Sequence, residues 1–243
     1  MNKSIFTITE NKQLVPNVYR MTLLGDTSQI KRPGQFVNIA VDGFYLRRPI
    51  SVCDCSGDTL TLIYKTVGNG TQKMSEMHAG EKLDLLCGLG NGFDTSACGQ
   101  KPLLVGGGVG VPPLYMLAKR LIGEGKEVSV ILGFNCAQEI FYKEEFEGLG
   151  CRVYVTTADG SYGIKGFVTA ALCETDYTDY CACGPEPMLK ALWSAAEKSG
   201  QLSFEERMGC GFGACMGCTC KTKYKNKRIC KDGPVLTSEE IIW

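Results

Sequence analysis

The sequence predicts a β + α/β protein in three parts, and three observations lead to that fold class. Short runs rich in β-branched and aromatic residues recur over residues 1–98. Strands alternate with helices over residues 99–200, and five of the 14 cysteines fall within residues 201–243. The chain has 243 residues, enough for two modest domains and one small module.

The first part has the pattern of a small barrel or sandwich. Turn residues such as Pro33-Gly34 and Ser56-Gly57-Asp58 separate its β-rich runs, and a short helix is expected at 71–77. The predicted strands are residues 4–9, 18–24, 35–41 and 59–65.

The second part has the pattern of a doubly wound parallel sheet, because each predicted strand is followed by a helical segment. In such sheets ligands bind at the carboxyl ends of the strands. The predicted strands are residues 101–107, 128–134, 151–157 and 180–184, and the predicted helices are 112–125, 141–147, 165–173 and 186–199. The third part is too short for an apolar core of its own, so a metal or its neighbours must hold it.

Composition excludes several functions. The 26 basic and 26 acidic side chains cancel, so no general attraction to nucleic acid or anionic membranes is expected. No apolar run reaches the ~18 residues of a membrane span. The N-terminal residues lack a signal-peptide pattern, so we expect a cytoplasmic protein with reduced thiols. With 14 cysteines and His78 as its one histidine, the chain suits metal or redox chemistry better than histidine-based catalysis.

The strongest motif is Cys210-x4-Cys215-x2-Cys218, with Cys230 after eleven more residues. This is the plant-type [2Fe–2S] spacing. Structural zinc is the alternative, but zinc sites usually pair two C-x2-C units or add histidine. Cys220 also competes as the fourth ligand. Because ligands two residues apart fit a small cluster poorly, we predict ligation by Cys210, Cys215, Cys218 and Cys230.

A glycine run, residues 106–111, follows a strand and leads into a helix that begins Pro112-Pro113. Its N–H groups suit a pyrophosphate, although an ordinary tight turn fits as well and Pro113 breaks the G-x-G-x-x-G pattern. No acidic residue directly ends the next predicted strand, so the ribose partner stays open.

The third motif is Arg47-Arg48-Pro49-Ile50-Ser51, followed by residues 63–65 and Gly70-Thr71. An arginine beside a strand can bind a pyrophosphate, while a surface arginine and a helix cap would give the same pattern.

Together these motifs resemble the ferredoxin–NADP reductase superfamily and, within it, the electron-transfer subunits of class 1B dihydroorotate dehydrogenase. The resemblance covers nearly the whole chain, and its specific parts are GNGF (90–93) and CKDGPVLTSEEIIW (230–243). It implies an antiparallel Greek-key β-barrel that binds FAD (1–98), an NAD-binding α/β domain (99–200) and a [2Fe–2S] module (201–243). It implies FAD contacts at Arg48, Pro49, Ile50, Ser51, Ile63, Tyr64, Lys65, Gly70 and Thr71, and nicotinamide nucleotide contacts at Gly107, Gly108, Gly110, Cys183 and Gly184.

The resemblance also implies a function in pyrimidine biosynthesis. Electrons would pass from the FMN of a separate catalytic dihydroorotate dehydrogenase subunit through [2Fe–2S] and FAD to NAD⁺, in a heterotetramer with two of each chain. Ile50 departs from the superfamily, which has an aromatic residue there beside the flavin. Two alternatives remain: a flavin and iron–sulfur subunit of another NAD(P)H-linked oxidoreductase, such as a ferredoxin:NADP transhydrogenase, and a zinc-stapled binding module.

The segment 221–231 carries six basic residues. It is either a solvated hairpin or a group of charges that offsets an anionic cluster and docks a partner.

Overall fold

The structure, a computed structural model, describes residues 2–243 and contains a barrel and a larger sheet that share an apolar interface, together with a small two-stranded sheet. The predicted fold class is confirmed: a closed antiparallel barrel precedes a mainly parallel sheet flanked by helices, and a small cysteine-bearing segment follows. None of the helices among residues 2–243 is long and apolar enough to cross a membrane.

The barrel closes in the order β1-β2-β5-β4-β3-β6. Its interior holds the inward side chains of each strand, and Met74 of a short helix α1 covers it. The last strand, absent from the sequence prediction, alternates buried and partly exposed residues with period two, as a strand with one core face must. The elements are β1 (Asn2–Val15), β2 (Val18–Leu24), β3 (Phe36–Ile39), β4 (Arg48–Ser56), β5 (Thr59–Lys65), α1 (Asn69–Ser75) and β6 (Lys82–Leu89).

The second sheet has the order β10-β9-β8-β7-β11-β12-β15, parallel except for its last strand. Helix α2 packs its buried leucines between this sheet and the barrel. The strands are β7 (Pro102–Gly107), β8 (Ser129–Phe134), β9 (Arg152–Thr157), β10 (Ile164–Lys165), β11 (Asp179–Cys183), β12 (Gly200–Ser203) and β15 (Val235–Thr237), and the helices are α2 (Pro112–Gly123), α3 (Lys143–Gly148) and α4 (Glu186–Ala195).

Two predicted helices differ from the structure. Residues 164–165 pair with β9, so the helix predicted at 165–173 does not begin at residue 165, and a 3₁₀ helix occupies 168–174 instead. The helix predicted at 186–199 ends at Ala195, because the chain turns extended at Ala196 to enter β12 beside β11.

The cysteine-bearing segment contains a small hairpin, β13 (Thr219–Lys221) and β14 (Asn226–Arg228), and the helical turn α5 (Ile229–Asp232). It shares a core with the second sheet, in which Ile229 and Cys230 pack among the same buried residues as Leu202 and Leu236. It also contacts the barrel, because Asn91 exchanges side-chain hydrogen bonds with Val235 at 2.8 and 3.1 Å. The GNGF motif therefore serves as the barrel's attachment to the C-terminal strand.

Candidate flavin, nucleotide and iron–sulfur sites

A cavity of about 490 Å³, which we call the sheet cavity, lies at the carboxyl ends of β7, β8, β9 and β11. Its walls include four predicted nucleotide residues, Gly107, Gly108, Gly110 and Gly184. A side chain at Gly110 would overlap the carbonyl of Cys183, so glycine there lets the β7–α2 turn pack directly on the end of β11. This close approach leaves the cavity open above the turn.

Glu139 also lines the sheet cavity and was missed by the sequence analysis. It lies in a 3₁₀ turn after β8, where its carboxylate accepts hydrogen bonds from the backbone N–H of Asn135 at 3.2 Å and from the side-chain amide at 2.8 Å. Glu139 is visible in the sequence as an acidic residue five positions beyond the end of β8. Its place at the strand end depends on the intervening turn, and the sequence pattern does not predict that turn.

A second cavity of about 350 Å³, which we call the barrel cavity, opens beside β4 and β5. Arg48 lies over the ring of Phe44 at 4.8 Å from its centroid and donates to the backbone carbonyls of Leu46 and Arg47. Gly70 does not line the cavity but makes room for Arg48, because a Cβ at this position would overlap the guanidinium. The predicted residues that line the cavity are Arg48, Pro49, Ile50, Ser51, Ile63, Tyr64, Lys65, Thr71 and Cys183.

The side chains of two of these residues, Tyr64 and Ile63, point away from the barrel cavity. Tyr64 packs inside the barrel, donates from its hydroxyl to Asn11 at 3.0 Å and stacks on Tyr19. Ile63 packs into the interface with α2. Their contribution to the cavity wall is therefore the β5 backbone, whereas Ile50 and Ser51 are partly exposed on β4.

Cys183 lines the barrel cavity rather than the sheet cavity in which the nucleotide residues lie. Burial raises the pKa of its thiol to about 12, so the group is a protonated, unreactive thiol at neutral pH.

The two cavities meet at Lys65, Val109 and Glu205, which line both. Sequence analysis missed Glu205, which follows β12. Glu205 is exposed to solvent where it lines the two cavities, and the partial desolvation of its carboxyl by the surrounding residues raises its pKa. A titratable group thus stands at the boundary between the two cavities.

The structure arranges the four predicted ligands as two pairs. Three of them lie in residues 210–218, which we call the cysteine loop, and Cys230 follows in α5. In the first pair, the Cys210 thiol accepts from the backbone N–H groups of Ala214 at 3.2 Å and Cys215 at 3.4 Å. Partial burial raises the pKa of Cys210, but the backbone N–H groups of Cys215, Phe212 and Ala214 outweigh it and lower the pKa to about 6. This loop therefore favours a thiolate before any metal binds.

The second pair is Cys218 and Cys230, both 2% exposed. The backbone N–H of Cys230 donates to the Cys218 thiol at 3.4 Å, and burial raises the pKa of Cys230 to about 12. Cys220 lies on β13 opposite Lys227, outside these pairs. Among residues 2–243, no three His, Cys, Asp or Glu side chains already converge as one metal-ligand group.

Of the basic segment, Lys227 and Arg228 form ion pairs within the C-terminal part, with Glu240 and Asp232. Exposed side chains at 221, 223 and 225 project from the hairpin with Tyr224.

Comparison with known proteins agrees with this geometry. Residues 205–242 match the family model described as "Iron-sulfur cluster binding domain of dihydroorotate dehydrogenase B", and residues 104–193 match "Oxidoreductase NAD-binding domain". A chain of the NADH-dependent reduced ferredoxin–NADP oxidoreductase superposes with a TM-score of 0.88 at 29% identity, covering 98% of this chain and 90% of that chain. A ferredoxin NADP⁺ reductase from Neisseria gonorrhoeae, at TM-score 0.68 and 16% identity over 80% of this chain and 90% of its own, shares the fold.

The fold and these matches together define a flavin- and nicotinamide-dependent oxidoreductase of the ferredoxin–NADP reductase type with an added iron–sulfur domain. "Dihydroorotate dehydrogenase B (NAD(+)), electron transfer subunit" of Bacillus pumilus is 44% identical, over 99% of this chain and 98% of that protein. The protein of the same name from Fusobacterium nucleatum is also 44% identical, over 97% and 96%. The chain belongs to this family of electron transfer subunits. Family membership confirms the predicted FAD, [2Fe–2S] and NAD cofactors and a catalytic partner subunit.

Proposed function

We propose that this chain carries electrons from the FMN of a dihydroorotate-oxidising catalytic subunit to NAD⁺, through a [2Fe–2S] cluster and FAD that its own residues hold. The observation that carries the proposal is the shared wall of the two cavities, since Lys65, Val109 and Glu205 border both. Ligands in two cavities with a common wall are held near one another, as transfer between a flavin and a nicotinamide requires. We assign residues 1–98 to FAD, 99–200 to NAD and 201–243 to the cluster.

The barrel cavity fits FAD. Arg48 supplies a guanidinium for the pyrophosphate, and the close approach of Gly70 fixes its side chain. The hydroxyl of Thr71 accepts from the backbone N–H of Val67 at 2.9 Å, which orders the turn at the cavity edge. Pro49, Ile50 and Ser51 on β4, with the backbone of residues 63–65 on β5, would line the flavin ring.

The sheet cavity fits NAD. Gly107, Gly108 and Gly110 would present backbone N–H groups to the pyrophosphate, and Gly184 opens the end of β11. The carboxylate of Glu139 would accept hydrogen bonds from ribose hydroxyls, and its negative charge would repel the 2′-phosphate of NADP. This arrangement favours NAD(H).

Four thiols fit a [2Fe–2S] cluster, and we assign Cys210, Cys215, Cys218 and Cys230 to it. Support for Cys230 over Cys220 comes from the hydrogen bond that joins its backbone to the Cys218 thiol. When bound, the cofactors supply the electron chemistry, since a flavin exchanges two electrons with NAD and single electrons with an iron–sulfur cluster. The residues of this chain bind, orient and separate them.

The exposed side chains of Phe212 and Met216 lie in the same loop as Cys210 and Cys215. Apolar side chains left in water beside a redox centre suit a protein partner, so we propose that the catalytic subunit docks here. By resemblance we further propose two copies of each subunit. We further propose a cytoplasmic location, where the 14 cysteines, all free in the structure, would stay reduced.

The test is to purify the chain with a class 1B catalytic subunit and to measure NAD⁺ reduction by dihydroorotate. The proposal expects a yellow-brown complex containing flavin and iron that reduces NAD⁺. A stable complex that reduces its FMN but not NAD⁺ would contradict it, as would a colourless chain that binds zinc. Arg48→Met should lose FAD, whereas the control Arg152→Met on the exposed start of β9 should keep it.

A further inference from the structure

Asn38, on β3 in the barrel wall, is a buried polar residue that the cofactor sites described above do not include. Its side chain is 1% exposed, and its amide nitrogen donates to the backbone carbonyl of Cys210 at 3.2 Å. The two residues are 172 positions apart in the sequence, so this bond joins the barrel directly to the cysteine loop.

The other half of the Asn38 amide has no partner. Its oxygen is buried without a hydrogen bond among the described residues. An unsatisfied buried acceptor lowers stability, and an apolar side chain of similar size would avoid that loss. Stability of the barrel alone therefore does not account for asparagine at this position, whereas the bond to Cys210 does.

The cysteine loop has a glycine, Gly211, at the point where the Asn38 side chain contacts it. Gly211 follows Cys210 with φ of +78°, and a Cβ there would overlap the Asn38 amide nitrogen. Glycine is thus required both by the turn and by the approach of the barrel. The loop that presents the Cys210 thiolate is seated against this one side chain.

Asn38 is itself fixed to the strand that lines the barrel cavity. In the β3–β4 pairing it lies opposite Pro49, between the positions opposite Arg48 and Ile50. Arg47 donates to the Asn38 carbonyl at 3.2 Å and pairs with Asp84 on β6 at 3.0 Å, which ties the three strands together. One strand pairing and one side chain therefore connect the flavin-lining strand to the first cysteine of the cluster motif.

We propose that Asn38 is a positioning residue that holds the cluster loop in register with the flavin-binding strand, and so sets the geometry of electron exchange between FAD and the cluster. The inference rests on the proposed function, because it assumes both cofactors are held where that function places them. Groups that orient a metal ligand without touching the metal typically change affinity or activity about 10–100-fold when removed.

The test replaces Asn38 with leucine, which keeps the size and removes the donor. The chain loaded with FAD and cluster is mixed rapidly with NADH, and the reduction of the flavin and of the cluster is followed at separate wavelengths. Asn38→Leu should leave flavin reduction unchanged, slow cluster reduction about tenfold and shift the electron paramagnetic resonance g-values of the reduced cluster. The midpoint of thermal unfolding should change little, because removal of the unpaired Asn38 acceptor offsets loss of the hydrogen bond to the Cys210 carbonyl.

Asn226→Leu is the matched control, since Asn226 is exposed on β14 of the same cysteine-bearing segment. Asn38→Ala repeats the test if the leucine variant does not fold. Unchanged cluster reduction and g-values in a fully loaded Asn38 variant would overturn the proposal. So would equal slowing of flavin and cluster reduction, which would indicate general disturbance of the barrel. Failure of the unmodified chain to bind a cluster would instead refute the proposed function.

Discussion

The preference for NAD(H) should depend on Glu139, and Glu139→Gln should weaken it. The carboxylate lies in the sheet cavity and is partly exposed, so its interaction with a phosphate charge about 4 Å away amounts to about 1 kcal/mol in a water-like dielectric. Removing the charge should raise kcat/KM for NADPH about fivefold. Hydrogen bonds to a charged acceptor exceed those to a neutral one by about 1 kcal/mol, so kcat/KM for NADH should fall about fivefold. The ratio of the two should therefore move about 25-fold.

The assay is steady-state oxidation of NADH and NADPH by the FAD-loaded chain with ferricyanide as acceptor, which bypasses the catalytic partner. Glutamine can still accept from Asn135, whose bonds to Glu139 shape the turn, so the local fold should survive. Glu144→Gln, an exposed charge on α3, is the control and should leave both substrates unchanged. If Glu139→Gln and its control give the same NADPH-to-NADH ratio, the ribose assignment is wrong.

Three further predictions concern the cysteine loop and the glycine turn. In the cluster-free chain, Cys210 should be alkylated first and reach its full rate near pH 7, because a pKa of about 6 makes it a thiolate above that pH and a thiol below it; a rate still rising at pH 9 would contradict this. Cys230→Ser should abolish the visible cluster spectrum and Cys220→Ser should retain it; the opposite result would exchange the two assignments. Gly110→Ala should raise the Kd for NADH at least about tenfold, because its Cβ overlaps the carbonyl of Cys183, whereas Gly123→Ala, which meets no atom, should not.

Most of the fold was predictable because its signals are local. β-branched runs and the strand–helix alternation depend on neighbours in sequence, and the strands predicted at 18–24 and 59–65 match β2 and β5 in the structure. Two of the differences arose where pairing with distant strands decided the outcome. Residues 164–165 became a strand because β9 was available, and residues 235–237 became one because β12 had a free edge. No local pattern carries that information.

The candidate sites also contain some residues that a local sequence pattern predicts and others that only the fold reveals. The cysteine spacing and the glycine run predict binding groups because the ligand imposes the spacing on a short segment. Glu205 and Asn38 gave no such signal, since each matters only through what the fold brings beside it. An isolated carboxylate or amide in a sequence is ordinary, and it becomes informative when the fold places the carboxylate at the wall of two cavities or buries the amide against the cysteine loop.

The route of the C-terminal segment would hold the three proposed cofactor sites at fixed separations in one chain. Strand β12 extends the sheet that ends in the sheet cavity, and β15 returns antiparallel to it while Val235 bonds to Asn91 of the barrel. Residues 204–234, which include the cysteine loop, connect these two strands, so both ends of this segment are anchored to the sheet. The first cysteine of the loop, Cys210, is anchored to the barrel through Asn38. Movement of the barrel relative to the sheet would strain the contacts that join them through Asn38 and Asn91. Electron exchange is steeply sensitive to position, and this threading restrains each site by the other two.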